Sequence, residues 1–343
     1  MSQNSFDEPI VEAEASSLFR SNWFRKTILV VLIVLLILMI GVGMYWSREP
    51  ALVSLSQMEP GSSKLVTGQH TTGALMFATR TLLDKPGGYL TNDKTPPSVF
   101  LDNMPSWEYG ALVQIRDLAR SLRNDMSRSR SQSVENSYLA KAEPLMHFKN
   151  DSWLFPPTES QYRKANEEFQ GYFDQLGSTA DAGTQFYARA DNLREWLTVV
   201  EKRLGDLSQR LSASVARSRV NIDLAGESGA EQSTQSPGVV QVKTPWMKID
   251  NVFYESRGAT WALIHFFKAI EVDFEGSLKK KSAIPLVQQI IRELEGSQGT
   301  VWWPVILNGG GFGLFANHSL VMASYISRAN AAVIDLRELL QDG

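Results

Sequence analysis

The hydrophobic pattern of the chain is dominated by one uncharged run near its start. Thr27–Trp46 (TILVVLIVLLILMIGVGMYW) contains twenty residues without a charge. At about 1.5 Å per helical residue, a run of this length spans the roughly 30 Å hydrocarbon core of a bilayer. Trp23 and Phe24 precede it and Tyr45 lies near its end, as in the aromatic belts at membrane interfaces. The pattern predicts a transmembrane helix, with the lipid bilayer as its partner.

The flanks of this run predict that the helix is retained, and they give it a direction. The alternative, a cleaved signal peptide, has an apolar core of about 7–15 residues followed by small residues at a cleavage site. Here the run is longer and no A-x-A pattern follows it. Arg20, Arg25 and Lys26 precede the run, whereas only Arg48 lies close behind it. Because cations favour the cytoplasmic side, we expect residues 1–26 in the cytoplasm and the large body across the membrane.

Beyond the run, apolar residues recur mostly at helical spacing, and strand-like alternation is scarce. We therefore predict a mainly α fold, with a single N-terminal transmembrane helix followed by a mostly helical, bundle-like body. The longest predicted helix of the body extends from about Thr184 to Asp223. Its apolar seam steps by 4,3,4,3,4 through Leu193, Leu197, Val200, Leu204, Leu207 and Leu211. Such a short seam serves either an intramolecular bundle or a dimer.

Composition shifts divide the chain into six parts. In order they are a cytoplasmic tail (1–26), the transmembrane helix (27–46), a juxtamembrane linker (47–63), a helical region (64–224) with a long 84–110 loop, a flexible connection (225–242) and a helical C-terminal region (243–343). We expect the C-terminal region to pack on the preceding one. Within it, the uncharged stretch 296–327 is interpreted as two buried segments joined by a glycine turn. A re-entrant or membrane-resting element is the alternative.

Composition and motifs remove several classes of function. A formal net charge of −3 gives no general attraction to nucleic acid. The absence of cysteine excludes disulfides, Cys-ligated metals and thiol catalysis. Gly309–Gly313 lacks the strand-then-helix setting of a dinucleotide loop, and the chain has no Walker lysine. The four scattered histidines form no metal-binding pair: His70, His147, His265 and His318. We therefore predict no metal, no cofactor, no nucleotide and no nucleic acid.

The 84–110 loop holds the clearest set of candidate site residues. Its prolines and paired glycines forbid a long helix, and ordered loops of this length are often functional. Aromatic faces beside carboxylates and amides suit sugar binding, and two carboxylates about 5–10 Å apart can cleave a glycoside. Arginines on the following helix suit peptide carboxylates or lipid phosphates. The candidate binding residues are Tyr89, Asp93, Asn103, Trp107, Tyr109, Arg116, Arg120 and Arg123, and the candidate catalytic residues are Asp102 and Glu108.

A structural interpretation of the same residues stays open beside this one. In it, the loop is simply folded, its Asp and Asn residues cap helices, and its arginines pair with nearby acids. Burial of Asp102, Trp107 and Glu108 in satisfied hydrogen bonds would favour the structural interpretation. An open cleft lined by Asp102, Trp107 and Glu108 would favour a glycan site.

Several longer strings carry a resemblance. LLDKPGGYLTNDKTPPSVFLDNMPSWEYGALVQIRD, RSRSQS, FYARADNLREWL and RLGDLSQRLSAS resemble an uncharacterised proteobacterial family known only as a domain of unknown function. The resemblance covers nearly the whole chain after the transmembrane helix. It implies a single-span protein of the bacterial inner membrane. With the cation asymmetry, this places the N-terminus in the cytoplasm and the body in the periplasm. The resemblance implies no activity and no site residues.

Two functions follow from these expectations. The leading hypothesis is a non-enzymatic envelope protein, anchored by Thr27–Trp46, whose helical body binds another protein or itself. The alternative is a peptidoglycan-binding or glycan-cleaving protein that uses the aromatic and acidic side chains of the 84–110 loop.

Overall fold

The computed structural model describes residues 9–58, 65–129, 134–178, 184–215, 217–220, 239–299 and 318–341. Within these ranges the chain forms eleven α-helices and one two-stranded antiparallel sheet, which confirms the predicted mainly α, bundle-like fold. The helices are α1 (Pro9–Trp46), α2 (Leu55–Met58), α3 (Gln69–Asp84), α4 (Asn103–Ser121), α5 (Ser137–Met146), α6 (Thr158–Gly177), α7 (Ala190–Ser212), α8 (Ile249–Asp273), α9 (Glu275–Lys280), α10 (Ile284–Gly296) and α11 (His318–Gln341). The strands are β1 (Arg217–Val220) and β2 (Val239–Val242).

α1 contains the apolar run of the sequence. From Trp23 to Trp46 it is long and apolar enough to cross a membrane, and within the described ranges no other helix meets that test. Its apolar side chains are largely exposed in the isolated chain. A helix that exposes apolar side chains all round needs an apolar environment. α1 is therefore compatible with a single-pass membrane anchor or a signal sequence.

α4 and α8 cross in direct backbone contact at two glycines. A methyl group placed on Gly110 would lie 1.9 Å from the Glu255 carbonyl oxygen. A methyl group on Gly258 would lie 1.9 Å from the Trp107 carbonyl oxygen. Any larger residue at either position would force the helices apart. Beside the crossing, the buried rings of Trp107 and Trp261 pack at a centroid distance of 5.1 Å, so this contact forms the centre of the core.

The apolar seam of α7 is buried inside the chain itself. α11 runs antiparallel to α7, with Ser208 Oγ 2.6 Å from Ser327 Oγ and Arg337 Nη1 2.6 Å from Glu201 Oε2. The seam residues are all buried: Leu193, Leu197, Val200, Leu204, Leu207 and Leu211. The seam therefore serves intramolecular packing.

α7 is shorter than the helix predicted over Thr184–Asp223. It begins at Ala190 and ends at Ser212, followed by a 3₁₀ turn and then β1. At its end the Ser212 hydroxyl donates to the Ser208 carbonyl oxygen at 2.8 Å. Serine side chains compete with the helical backbone for hydrogen bonds in this way, which favours ending a helix.

Three predicted segments are described only in part. The predicted linker 47–63 is described as far as Met58, which is buried. The predicted connection 225–242 is described from Val239, where β2 begins, and its valines suit a strand. Within the uncharged stretch 296–327, residues 300–317 lie outside the described residues, so its interpretation stays a prediction.

Several helix ends meet where α1 reaches the body. Asp84, the last residue of α3, pairs at 2.7 Å with Arg163 in the second turn of α6. At the opposite end of α3, Gln69 donates to the Phe173 carbonyl oxygen late in α6, so the two helices are antiparallel. Tyr254, in the second turn of α8, lines a cavity against the last turns of α1. The end of α3 and the starts of α6 and α8 therefore share one end of the body, here named the α1-facing end.

Candidate functional site at the end of α1

Arg257 of α8 holds the first acidic residue after α1. Its Nε lies 2.7 Å from Glu49 Oε1 and its Nη2 lies 2.5 Å from Glu49 Oε2. Its Nη1 donates to the carbonyl oxygens of Ser297 and Gly299, at 3.2 and 2.9 Å. A buried guanidinium is stable only with partners of this kind. The pair fixes the exit of α1 to the middle of the bundle.

The next residues continue along the same face of α8. The Trp261 indole N–H donates to the Ala51 carbonyl oxygen at 3.3 Å, and the Val53 N–H donates to His265 Nε2 at 3.2 Å. Since Nε2 accepts, the ring proton sits on Nδ1 and is donated to the Trp261 carbonyl oxygen at 2.8 Å. Burial lowers the pKa of His265 to about 4, so the ring is neutral at pH 7. His265 is a satisfied structural residue.

Asp273, the last residue of α8, caps the start of α3. Its carboxylate accepts from the Gly68 N–H at 2.8 Å and from the Thr71 N–H and hydroxyl, both at 2.7 Å. This satisfies backbone donors that a helix start leaves free. Burial raises the pKa of the Asp273 carboxyl, and the hydrogen bonds from Thr71 and Gly68 oppose that rise.

Sequence reasoning did not single out Arg257 and Asp273, and it treated His265 as a core or surface histidine without predicting its partners. Arg257, His265 and Asp273 are polar residues inside a largely buried helix. That pattern was a usable signal, because a charged or polar side chain on a buried face needs a specific partner. The partners at Glu49, Val53 and Gly68 are about two hundred residues away in sequence, and no local pattern indicates them.

The 84–110 segment packs against the last turns of α1. A methyl group on Gly43 would lie 3.7 Å from Leu101 Cδ2 and 3.8 Å from Pro97 Cβ, which are ordinary van der Waals distances. Gly87, at φ +85°, is so close to the Trp46 ring that a methyl group would lie 2.7 Å from its Cγ. An apolar groove of about 690 Å³ lies beside these contacts, between the last two turns of α1, this segment and Tyr254. The segment therefore packs against the end of α1 and holds it on the body.

Glu108 is buried in an ion pair that closes the segment. Its Oε1 lies 2.5 Å from Lys85 Nζ, and its carboxylate accepts from the backbone N–H groups of Leu90 and Thr91, each at 2.8 Å. The Thr91 hydroxyl is a further donor. Burial raises the pKa of the Glu108 carboxyl, while the charge and hydrogen bond of Lys85 oppose that rise. The structure gives this candidate catalytic residue a role in holding the fold of the segment.

Two aromatic candidates also lie in the interior. Tyr89 is buried, donates its hydroxyl to the Asn150 carbonyl oxygen at 3.0 Å and packs edge-on against Tyr162. Burial raises the pKa of the Tyr89 hydroxyl above its ordinary value. Trp107 is buried at the α4–α8 crossing. Neither ring face is available for stacking on a sugar in this conformation.

Four other candidates lie at the surface of the segment. Asp93, Asp102 and Tyr109 share an open polar groove of about 450 Å³, which Asn251 also lines. Asp250, beside Asn251, is half-buried, and burial together with the nearby Asp102 charge raises the pKa of its carboxyl. Asn103 instead lines the apolar groove against α1. The structure thus brings three of the predicted residues together and separates them from Trp107 and Glu108.

The three candidate arginines have partners within the chain. Arg116 donates to the carbonyl oxygens of Met146 and Phe148, at 2.9 and 2.7 Å. Arg123 pairs with Glu135 and Glu143, at 2.8 and 2.9 Å, and lowers the pKa of the Glu135 carboxyl. Arg120 lies 3.0 Å from the ring of His147 and 3.7 Å from Glu143. These contacts fit the structural interpretation, in which the arginines tie α4 and the turn that follows it to α5 and its flanks.

Comparison with known families places the chain. Residues 19–343 match a family described as an uncharacterized protein conserved in bacteria (DUF2333). The chain belongs to this family. The match confirms the resemblance to an uncharacterised bacterial family. No curated protein and no solved structure gives a significant match.

In this DUF2333 member, the best-defined site is the contact of the end of α1 and residues 49–53 with α8 and the 84–110 segment. Its buried charges and hydrogen bonds hold the chain after α1 in one position. The groove with Asp93, Asp102 and Tyr109 offers hydrogen-bonding groups to solvent. In the described part of the chain, no group of three or more His, Asp or Glu side chains is placed to hold a metal ion.

Proposed function

We infer that this protein is a non-enzymatic interaction or scaffold protein of the bacterial envelope. α1 is its retained single-pass anchor in the inner membrane. Residues 1–26 are cytoplasmic and the helical body is periplasmic. The cations Arg20, Arg25 and Lys26 before α1, against Arg48 after it, support this direction. The body binds another protein or a second copy of itself.

One observation carries the proposal: the body is built onto the last turns of α1. Gly43 and Trp46 lie against the 84–110 segment, and Glu49 pairs with buried Arg257. A signal peptide that is removed after export makes no such contacts with the mature fold. The same contacts hold the body in one orientation above the membrane, which suits a protein that presents a surface to a partner.

The burial of Glu108, one of the two candidate catalytic residues, also favours a scaffold, whereas Asp102 stays at the surface. Glu108 is enclosed with Lys85, and the three arginines bind acids, a histidine ring or carbonyl oxygens of their own chain. A catalytic acid or base must reach its substrate. Glu108 has no such access in this conformation.

Topology is tested by alkaline phosphatase fusions. A fusion after Gly343 should be active and a fusion after Lys26, before the apolar run, should be inactive, since this phosphatase folds only after export. A stable but inactive fusion after Gly343 would reverse the topology. N-terminal sequencing of the mature protein tests retention, because removal of α1 would contradict the anchor.

The interaction role is tested by crosslinking in intact cells. A tagged full-length chain should give a reproducible crosslinked species, either a homodimer or a complex with one other protein. Recovery as a monomer alone, at several crosslinker lengths, would contradict the proposal.

A glycan-binding function is the second candidate, and the open polar groove favours it. Asp93, Asp102 and Tyr109 keep there the carboxylate and aromatic groups that bind sugars. Detergent-solubilised protein should then be retained on purified sacculi, and the Asp102→Asn, Tyr109→Ala variant should be released. Failure of both variant and parent to bind, with no muropeptide released, would exclude this function.

A further inference from the structure

Exposed apolar side chains gather at three places on the α1-facing end of the body. They are Val99–Phe100 in the 84–110 segment, 153–155 before α6, and Trp246–Met247 before α8; we name this set the apolar rim. Phe100 is 69% exposed, Phe155 is 94% exposed and Trp246 is 75% exposed. Large side chains this exposed, and grouped at one end of a molecule, mark an interaction surface.

The position of each part of the rim follows from described contacts. Phe100 lines the groove against Met39 and Ile40 of α1. Residues 153–155 precede Thr158, the first residue of α6, and α6 begins beside the end of α3 through the Arg163–Asp84 pair.

Tyr254, in the second turn of α8, fixes the position of Trp246 and Met247. Trp246 and Met247 come directly before α8, whose Tyr254 lines the same groove as Phe100. The 84–110 segment and the turn before α6 are also joined, because Asn92 Nδ2 donates to the Ser152 carbonyl oxygen at 2.8 Å. All three parts therefore face the side from which α1 leaves the body.

We propose that the apolar rim inserts into the interfacial layer of the bilayer leaflet that α1 leaves, and so seats the body on the membrane surface. The proposal rests on α1 spanning the membrane, as proposed above. The bilayer is the occupant because the rim is continuous with α1: Phe100 lies beside apolar residues of α1 itself. A leaflet that surrounds α1 must then meet the same face of the body.

The composition of the rim matches this environment. Trp and Phe are suited to the boundary between headgroups and acyl chains. Exposed lysines at Lys94, Lys149 and Lys248 flank the three parts, and lysine side chains reach toward headgroups while their stems stay apolar. Exposed Asp102 and Asp151 lie nearby, so the face has no strong net charge. Insertion should therefore depend on apolar contact and occur on neutral lipid.

The chain has no cysteine, so single cysteines can be labelled without a background. The full-length protein is reconstituted in phosphatidylcholine vesicles with a fluorophore on Phe100→Cys, Phe155→Cys or Met247→Cys. A matched control is Val272→Cys, an exposed apolar residue beside Asp273 at the opposite end of α8. Ile37→Cys, in the middle of the apolar run of α1, reports separately on the anchor.

Spin-labelled lipid should quench the fluorescence of the three rim labels at least about threefold more strongly than that of the Val272 label. Aqueous iodide should quench the Val272 label more strongly than the rim labels. Both results are expected for groups that lie about 5–10 Å into the interfacial layer. Rim labels that behave like the Val272 label, while the Ile37 label is quenched by lipid, would overturn the seating and leave the anchor standing. An unquenched Ile37 label would overturn the anchor as well. Rim labels shielded from iodide but not quenched by lipid would show that protein covers the rim, which also overturns the proposal.

Discussion

α1 and α8 are both long helices rich in apolar residues, and they face opposite environments. α1 exposes Leu35, Leu36 and Ile37 on all sides, whereas most of α8 is buried in the bundle. α8 carries polar residues inside, and two of them have distant partners: Arg257 pairs with Glu49, and His265 accepts from the Val53 N–H. The difference teaches that apolar content alone does not decide a helix's surroundings. Buried polar residues with distant partners mark the helix that belongs to a protein core.

The largest expected difference between the two helices is in how each tolerates replacement of a glycine by alanine. Gly258→Ala should destabilise the body by about 3 kcal/mol or more, because the new methyl group would overlap the Trp107 carbonyl oxygen. The gain of about 1 kcal/mol in helix propensity is too small to offset this. Gly41→Ala in α1 should not destabilise the protein, since nothing lies within 4 Å of the new group, and it keeps any gain in helix propensity, up to about 1 kcal/mol.

Urea unfolding of the full-length chain in detergent, followed by circular dichroism, measures both variants. Equal midpoints for Gly258→Ala and the parent would mean that α4 and α8 are not in backbone contact.

The connection between the two helices can be cut at one charge. Glu49→Gln keeps the side-chain shape but removes the charge opposite Arg257, which we expect to cost about 1–3 kcal/mol. The freed chain should also be cut faster by trypsin after Arg48. The control is Glu275→Gln, which removes an exposed ion pair with Lys279 and should cost less than about 0.5 kcal/mol.

Unfolding midpoints and the rate of cleavage after Arg48 decide this prediction. If Glu49→Gln and Glu275→Gln behave alike in both measurements, the Glu49–Arg257 pair does not hold the exit of α1.

The neutral histidine inside α8 predicts a pH dependence. The pKa of His265 is about 4 in the folded protein, below its ordinary value near 6.5. The unfolded chain therefore binds a proton between these values while the folded chain does not. The stability contribution is complete above about pH 6.5 and is lost as the pH falls toward 4.

Between pH 7 and pH 5 the loss should be about 1–2 kcal/mol. His265→Gln, which keeps an acceptor for the Val53 N–H, should flatten that dependence. Urea unfolding of both proteins at the two pH values checks this, and parallel pH profiles would assign the dependence to other groups.

The smallest expected effect concerns the contact of the 84–110 segment with α1. Gly87 and Gly88 both have positive φ, +85° and +72°, so alanine costs about 1–2 kcal/mol at either position. Only Gly87 lies against the Trp46 ring. The loss of unfolding free energy on Gly87→Ala should therefore exceed the loss on Gly88→Ala by roughly 1 kcal/mol, measured by urea unfolding. In a Trp46→Ala background this difference should vanish, and its persistence there would place its cause elsewhere.

Local pattern was a sound guide wherever a residue's environment depends on its neighbours in sequence. The length and uniform apolarity of Thr27–Trp46 are enough to predict a helix that needs an apolar environment. The seam from Leu193 to Leu211 predicted a packed helix, although not that α11 covers it. The end of α7 was placed too late, because serines and β-branched residues near Ser212 outweighed the periodic signal.

The candidate site shows where local pattern stops. By residue type alone, Glu108 suits catalysis and Arg116 suits anion binding, and each suits a structural role equally well. Their roles depend on Lys85 across the 84–110 segment and on carbonyl oxygens at the end of α5. A side chain's availability is set by which partner the fold brings within hydrogen-bond distance.

The sequence by itself determined the membrane-compatible helix, the helical class of the body and the bacterial family. These depend on composition, periodicity and extended sequence similarity, all of which are readable along the chain. Only the tertiary structure decided that Glu49, Ala51 and Val53 bind to side chains of α8, and that the 84–110 segment packs against the end of α1. The contacts with α8 join residues about two hundred positions apart, and those of the 84–110 segment join residues about forty to sixty apart. Their free energy exists only once the bundle has excluded water around them.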